Sequence, residues 1–280
     1  MRRQVYDIAF YLATALCTLL AITLLYKVVG FIIANGVPLL YHQISGLAEA
    51  AILEPKKLQP MIISTLFLTG LTLLLVLPFA VSAAIYLHEY AKENLLARIT
   101  RFSVQTLASI PSIVYGLFGM LIFVRRFGFG MSILAGAGTL AVMLTPIIMT
   151  QTENALRQIP REDREGSASL GATRFETVRR IILPSAAPGI LVGILLAIGR
   201  ILSESAALLF TVGTFVRLPV NQAGVLSVFE AGTTLTIRAL IEFKEYGNLE
   251  AATAIGVITI GVVIGLNLMS KLVMWLFGGV

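Results

Sequence analysis

Two residues of opposite charge, Arg200 and Glu204, stand four positions apart in an otherwise apolar run of the sequence. On a helix this spacing places both side chains on one face, where they can neutralise each other. A charge at the centre of a bilayer costs ~2.5 kcal/mol or more, so it normally faces a partner or a transport pathway. The planar donors of arginine also fit oxyanions. The pair is therefore either a structural lock or an oxyanion site, with Arg200 attracting the anion and Glu204 limiting that attraction.

Residue sets for catalysis or metal binding are missing from the sequence. There is no Gly-Lys dipeptide, and hence no phosphate-binding loop of the nucleotide hydrolases. The two histidines, His42 and His88, lack partners at ligand spacing, and no serine stands in a nucleophile-elbow pattern. Cys17 is the only cysteine, which excludes an intrachain disulfide. We expect no catalytic residue, no metal, no cofactor and no enzymatic activity.

The composition predicts an all-α integral membrane protein. Of 280 residues, 57% are hydrophobic and only 13% are charged, which is too apolar for one soluble core. A membrane helix needs ~20 apolar residues. Six runs of that kind occur, at residues 8–29, 61–87, 104–124, 132–150, 189–212 and 251–277. The first run is too long for a cleaved signal peptide, so we expect the chain to be retained whole.

The positive charges predict the orientation of these six spans. The net charge of +6 would suggest nucleic acid in a soluble domain, but in a membrane protein the placement of the charges carries the information. Segment 151–188 alone carries six arginines. The bias favours a cytoplasmic segment 151–188 and cytoplasmic N- and C-termini. We expect contact with membrane lipid and no nucleic-acid partner.

The arginine-rich segment has the start and stop signals of a helical hairpin. Pro160 can begin a helix and Gly171 can end it in the left-handed conformation. Thr173 and Glu176 have the spacing of a capping box, which predicts a second helix running to Leu183. The segment is therefore expected to fold as helix, tight turn and helix.

This hairpin resembles the cytoplasmic loop by which permeases of ABC importers dock their ATPases. The resemblance is carried by residues Glu165 to Gly171 and, after a gap of nine residues, by Ile181-Ile182-Leu183-Pro184. The family has two alanines where this chain has Gly166 and Ser167, and all four side chains are small. The resemblance implies a docking role for Glu165, Gly166, Ser167, Ala168 and Gly171. The alternative is an ordinary amphipathic hairpin on the membrane surface.

Two further stretches, residues 108–119 and 199–209, resemble the permease subunits of phosphate ABC importers, and the second of the two subunits, the PstA type, in particular. The resemblance covers residues 60–280 approximately and implies a type I ABC importer permease fold, with six transmembrane helices in the inner membrane of a prokaryote. It also implies a homologous second permease subunit, a cytoplasmic ATPase dimer and an extracytoplasmic phosphate-binding protein. A single arginine does not select among tetrahedral oxyanions, so molybdate, tungstate and sulfate stay as alternatives. An ion-driven secondary carrier is the less favoured alternative, because we find no internal repeat.

The order of apolar spans, prolines and polar segments divides the chain into two regions. Residues 1–60 are expected to form an N-terminal transmembrane helix and an extracytoplasmic loop, and residues 61–280 the importer domain with its docking loop at 151–188. Prolines 78, 111 and 146 are expected to bend their spans, although small residues around position 111 also suit helix packing. Segment 213–250 is either a solvated loop or holds a short re-entrant or interfacial helix.

The orientation can be tested by cysteine labelling. With Glu162→Cys in a Cys17→Ala background, we expect no reaction with a membrane-impermeant maleimide in intact cells and full reaction after permeabilisation. Lys244→Cys, on the expected outer side, is the matched control and should react in intact cells. Reaction of Glu162→Cys from outside would reverse the predicted orientation.

Overall fold

In hydrocarbon every backbone polar group must find its partner within the protein, and a helix achieves this within one segment. A computed structural model of the chain describes residues 2–44, 55–91 and 95–278, and apart from one antiparallel bridge between Val220 and Leu226 its regular structure is helical. The helices are α1 Arg2–Ile44, α2 Pro55–Ile85, α3 Leu95–Ala108, α4 Ser112–Gly119, α5 Ile133–Arg157, α6 Arg161–Ser169, α7 Arg174–Thr177, α8 Leu183–Ser203, α9 Ala206–Leu209, α10 Leu235–Lys244 and α11 Leu249–Gly278.

Three of these helices continue into wider, π-helical turns. Residues Tyr86–Tyr90 extend α2, Met120–Arg126 extend α4, and Val178–Ile182 join α7 to α8 without interruption. Helix α1 continues to Ile44, well past the predicted end of the first span at position 29. The part of the predicted N-terminal loop at 45–54 lies outside the described residues.

The six-span expectation is confirmed with one qualification. Five helical segments among the described residues are long and apolar enough to cross a membrane, and α3 with α4 makes a sixth if the two count as one span. These two helices meet at an angle of 101°. Pro111, with an extended backbone and no N–H, separates them, so the predicted bend is confirmed. Pro78 and Pro146 lie inside α2 and α5, which continue past them.

One sequence-based boundary is wrong. The predicted span at 189–212 is not one helix, because α8 ends at Ser203 and the short α9 follows after a break. Segment 213–250 contains a short helix, α10, as one of the two sequence-based interpretations held. The break between α8 and α9 proves central to the site described below.

Helix α5 forms the centre of the bundle and packs mainly against α2 and α8. Its Leu140 and Leu144 are fully buried against Leu68 and Val76 of α2 and Ala197 of α8. Because lipid is as apolar as these side chains, the contacts stabilise the bundle through close packing more than through exclusion of water. Helix α1 lies outside this core, and residues 10–29 of it are exposed.

Small residues set the closest approach between α4 and α9. A Cβ atom on Gly116 would lie 2.8 Å from the Cα of Ala207 and 3.0 Å from its carbonyl oxygen. Both are backbone atoms and cannot move aside by a change of rotamer. The small residues around Pro111 therefore serve helix packing here, as one of the two sequence-based interpretations held.

Gly116→Ala is accordingly expected to push α4 away from α9. Overpacking of this kind costs about 1–3 kcal/mol, so the thermal unfolding midpoint of the protein in detergent should fall by several degrees. Gly70→Ala is the matched control, because a Cβ there would meet nothing within 4 Å. Equal midpoints for the two variants would contradict the close backbone contact.

Candidate functional site

The Arg200–Glu204 pair forms, but at a helix break and not inside a helix. Arg200 lies in the last turn of α8, while Glu204 follows the helix with an extended backbone (φ −81°, ψ 126°). The Arg200 Nη2 atom lies 3.4 Å from Glu204 Oε2. The Glu204 side chain is only 5% exposed, whereas that of Arg200 is 46% exposed. The carboxylate is therefore fixed in the interior and the guanidinium extends outward from it.

Glu204 also holds the break together. Its Oε1 accepts a hydrogen bond from the backbone N–H of Ala207 at 3.2 Å, which satisfies one free donor at the start of α9. Its backbone carbonyl accepts a hydrogen bond from the Thr236 hydroxyl, at 3.0 Å, from the first turn of α10. Glu204 thus connects α8, α9 and α10. The guanidinium of Arg200, half exposed and paired on one side, keeps donors available for a second oxygen ligand.

A second ion pair with a buried carboxylate was not predicted from the sequence. Arg238 pairs with Glu242 one turn later on α10, and Glu242 is 8% exposed. The guanidinium also lies over the ring of Tyr246, 5.6 Å from its centre. The same i, i+4 spacing that drew attention to Arg200 was present in the sequence, but its position in a mixed polar segment concealed it.

Hydroxyl groups surround the N-terminus of α10. The Thr234 hydroxyl accepts from the backbone N–H of Ile237, and the Thr65 hydroxyl of α2 accepts from that of Leu235. Nearby, the buried hydroxyls of Ser64 and Thr233 have no partner among the described residues. The interior between α2 and α10 is therefore polar, and through Thr236 it adjoins the Glu204 backbone.

The predicted helical hairpin is confirmed in detail. Helix α6 follows Pro160, and Gly171 adopts a positive φ of 81°. The capping box is complete, since the Thr173 N–H donates to Glu176 Oε2 at 2.9 Å and the Glu176 N–H to Thr173 Oγ1 at 3.3 Å. The predicted end at Leu183 is wrong, because the second helix continues through α8 to Ser203.

The proposed docking residues differ in accessibility. Glu165, Gly166, Ala168 and Gly171 are exposed, whereas Ser167 is buried with its hydroxyl 2.8 Å from that of Thr177. Ser167 thus closes the hairpin.

Two large apolar side chains at the hairpin were not singled out by sequence analysis. Leu170 is 90% exposed and Phe175 is 63% exposed, on either side of the turn. Exposed apolar groups beside a tight turn favour contact with another protein.

Arg164 anchors the hairpin to the membrane-spanning helices. Its Nη2 lies 2.7 Å from Glu89 Oε1, in the π-helical turn that ends α2. The same guanidinium donates to the carbonyl oxygens of Leu156 and Ile159 at the end of α5, at 3.1 and 2.9 Å. One side chain therefore connects α6 with both α2 and α5. Sequence analysis counted Arg164 only as a positive charge.

Comparison with known proteins agrees with this arrangement. The family described as "Binding-protein-dependent transport system inner membrane component" matches residues 76–277. A probable ABC transporter permease protein of Bacillus subtilis, YqgI, is 34% identical over 85% of this chain and 83% of its own. The probable phosphate transport system permease protein PstA of Methanocaldococcus jannaschii is 35% identical over 75% of this chain and 74% of its own. The phosphate transport system permease protein PstC of Haemophilus influenzae is 30% identical over 68% and 66%.

Solved structures share the fold. The inward-facing MetNI methionine ABC transporter matches 80% of this chain and 99% of its own with a TM-score of 0.63 at 19% identity. A bacterial alginate ABC transporter, in complex with its pentasaccharide-bound periplasmic protein, matches 91% and 93% with a TM-score of 0.63 at 16% identity. At these identities the likeness concerns the fold alone.

Removal of the Arg164 anchor is expected to loosen α6. Hydrogen bonds to charged groups contribute about 1.5–3 kcal/mol, so Arg164→Gln should speed hydrogen–deuterium exchange in residues 161–169 by about tenfold or more. Arg179→Gln, the same change at an exposed position in the second half of the hairpin, is the matched control. Indistinguishable exchange in the two variants would show that Arg164 does not hold the hairpin.

Proposed function

Because the chain belongs to the family of binding-protein-dependent transport system inner membrane components, we propose that it is a permease subunit of an ATP-driven importer of inorganic phosphate, of the PstA type. The fold is that of a type I ABC importer permease, and the protein is a multi-pass component of the inner membrane. The observation that carries the proposal is the Arg200–Glu204 pair at a helix break, with a buried carboxylate and a half-exposed guanidinium, in a chain whose relatives include phosphate transport permeases.

In this function Arg200 provides the positive group of the pathway. An oxyanion accepts strong, charge-assisted hydrogen bonds from a guanidinium, and one that is half exposed can donate them without leaving its partner. The Glu204 carboxylate, fixed by the Ala207 N–H, cancels part of the positive field. Binding is then weak enough for the anion to leave, as conduction requires. Phosphate crosses without any bond being made or broken in this chain.

The hairpin is the proposed ATPase contact, with Glu165, Gly166, Ser167, Ala168 and Gly171 as the docking residues. Four of these are exposed, together with the apolar Leu170 and Phe175, while Ser167 shapes the hairpin from inside. Two physical connections lead from it to the membrane. The Arg164–Glu89 pair reaches the end of α2, and one continuous helix runs from Arg174 to Ser203. At 1.5 Å per residue that helix is about 45 Å long and ends beside Glu204.

The remaining parts of the machine are proposed as separate chains. The sequence has no phosphate-binding loop of nucleotide hydrolases, so ATP hydrolysis is assigned to a cytoplasmic ATPase dimer. A homologous second permease subunit supplies the other half of the pathway, and the exposed, apolar residues 10–29 of α1 offer it a surface. An extracytoplasmic phosphate-binding protein delivers the anion. We place segment 151–188 and both termini on the cytoplasmic side, and we divide the chain at residue 60, as the sequence predicts.

The choice of phosphate over other tetrahedral oxyanions rests on the relatives. A single arginine does not distinguish phosphate from molybdate, tungstate or sulfate, whereas the relative from Methanocaldococcus jannaschii, at 35% identity, is a probable phosphate transport system permease. These similarities also disfavour an ion-driven secondary carrier.

The role of the ion pair is tested by neutralising both partners. Arg200→Ala alone would leave a buried, unpaired carboxylate and disturb the fold for electrostatic reasons. Arg200→Gln with Glu204→Gln avoids that, so we expect a subunit that assembles normally while uptake of radiolabelled phosphate falls at least about tenfold, equivalent to ~1.4 kcal/mol. Arg200→Lys, which keeps the charge and loses the planar fork, should be intermediate.

Arg217→Gln with Glu230→Gln is the matched control, because it removes an exposed Arg–Glu pair of 3.1 Å. It should transport normally. Near-normal uptake by the Arg200 and Glu204 double variant, in membranes with equal subunit levels, would reduce that pair to a structural contact.

A further inference from the structure

A second positively charged region lies at the other end of α8 from Arg200. An open cavity of about 540 Å³ lies where the ends of α2 and α5 meet α3 and the start of α6. Ala186 of α8 packs against the end of α5, and Arg200 stands fourteen residues further along the same helix. At 1.5 Å per residue this separates the two regions by about 20 Å. The cavity is therefore distinct from the proposed pathway site.

Arginines dominate the wall of this cavity. Its lining includes Arg101 of α3, Arg157 of α5, and Arg161 and Arg164 of α6, together with His88. These residues come from four separate elements, so the fold and not a local charge run brings them together. No local pattern in the sequence indicates the cluster, because positions 101 and 157 are far apart along the chain.

The carboxylates that face the cluster do not neutralise it. Glu89 is engaged by Arg164 at 2.7 Å. Glu153 is shared by Arg101 and Arg157 at 3.8 and 3.4 Å. Four guanidinium groups against two carboxylates leave an excess of two positive charges in the described wall.

Several donors of the cluster are also unused. The Arg101 Nε atom lies 3.8 Å from Glu153 Oε2 and makes no hydrogen bond among the described residues, while Nη2 donates to the Leu87 carbonyl oxygen at 3.1 Å. The side chain of Arg157 is 58% exposed beyond its single contact with Glu153. Arg161 is exposed at the cavity. Planar guanidinium donors converging from several directions fit the oxygens of a phosphate group better than those of a single carboxylate.

We propose that this cavity binds a phosphate group as an anion site separate from the transport pathway. Its ligand is inorganic phosphate or the headgroup of an anionic phospholipid, which present the same chemistry. An anion held by Arg101, Arg157 and Arg161 bridges α3, α5 and α6. It thereby stabilises the hairpin against the bundle together with the Arg164–Glu89 pair. The site goes beyond the proposed importer function; only its description as separate from the transport pathway depends on that proposal.

The surroundings of the cavity accommodate either ligand, a phospholipid headgroup or free inorganic phosphate. Leu87, Leu156 and Ile159 provide apolar lining, and the neighbouring α3 exposes Leu96 and Phe102. These surfaces suit the acyl chains of a lipid whose headgroup enters the cavity. The cavity is also open, so it admits a free anion. The experiment therefore needs one arm for each source.

The test uses the assembled transporter in nanodiscs, with the Arg200→Gln and Glu204→Gln changes present throughout to remove the pathway site. One arm measures binding of radiolabelled inorganic phosphate in discs of phosphatidylcholine alone. The other measures retention of phosphatidylglycerol by native mass spectrometry from mixed discs. Arg157→Gln with Arg161→Gln removes two cavity charges and keeps the Arg164–Glu89 pair. Arg179→Gln with Arg180→Gln, two exposed arginines outside the lining, is the matched control.

We expect the cavity variant to bind one of the two probes at least about tenfold more weakly than the control does, a change of ~1.4 kcal/mol. Loss of phosphate binding identifies a free anion, and loss of phosphatidylglycerol a lipid headgroup. Hydrogen exchange of buried α5 verifies that both variants are folded. No measurable binding of either probe, or equal binding by variant and control, overturns the site. Because the readout is binding and not uptake, that result would leave the proposed importer function untouched.

Discussion

The architecture depends on one constraint, which is that a helix interrupted inside an apolar bundle leaves backbone groups without partners. The interruption at Glu204 is repaired by its own side chain, which accepts from the Ala207 N–H, and by Thr236, which donates to the Glu204 carbonyl. The Glu204 N–H in turn bonds to the carbonyl of Ile201 at 3.2 Å. With these bonds made, the break is a stable feature. It places a fixed carboxylate next to a guanidinium that is half exposed.

Side-chain hydroxyls likewise satisfy the backbone at the start of α10. Its first turn is supported by hydroxyls from its own cap, Thr234, and from α2, Thr65. Close approach is possible there because residue 232 is glycine, and a Cβ atom on it would lie 2.9 Å from the Ser64 hydroxyl oxygen. Polar side chains and small residues thus act together, since the former satisfy the backbone and the latter let the elements approach.

Local signals allowed the sequence to predict much of this molecule. Pro160, Gly171 and the Thr173–Glu176 box define the hairpin within a few residues, so their meaning does not depend on distant contacts. The break at Glu204 could not be predicted in this way, because no glycine or proline marks it and its support comes from Thr236, 32 residues later. The Arg164–Glu89 anchor joins positions 75 residues apart. Composition and periodicity carry no information about such pairs.

The π-helical turn at Val178–Ile182 has a consequence for how the hairpin and the membrane span are aligned. A π turn holds one residue more than an α turn, and each residue of a helix adds about 100° of rotation. The angular phase between the α7 face that carries Phe175 and the α8 face that carries Arg200 is therefore set by a single inserted residue. If the same residues closed as an ordinary α turn, the extra residue would turn the hairpin by about 100° about the axis of the span, although the composition of the helix would not change. The rotational register of this helix is therefore set by the π turn and not by the composition of the helix alone.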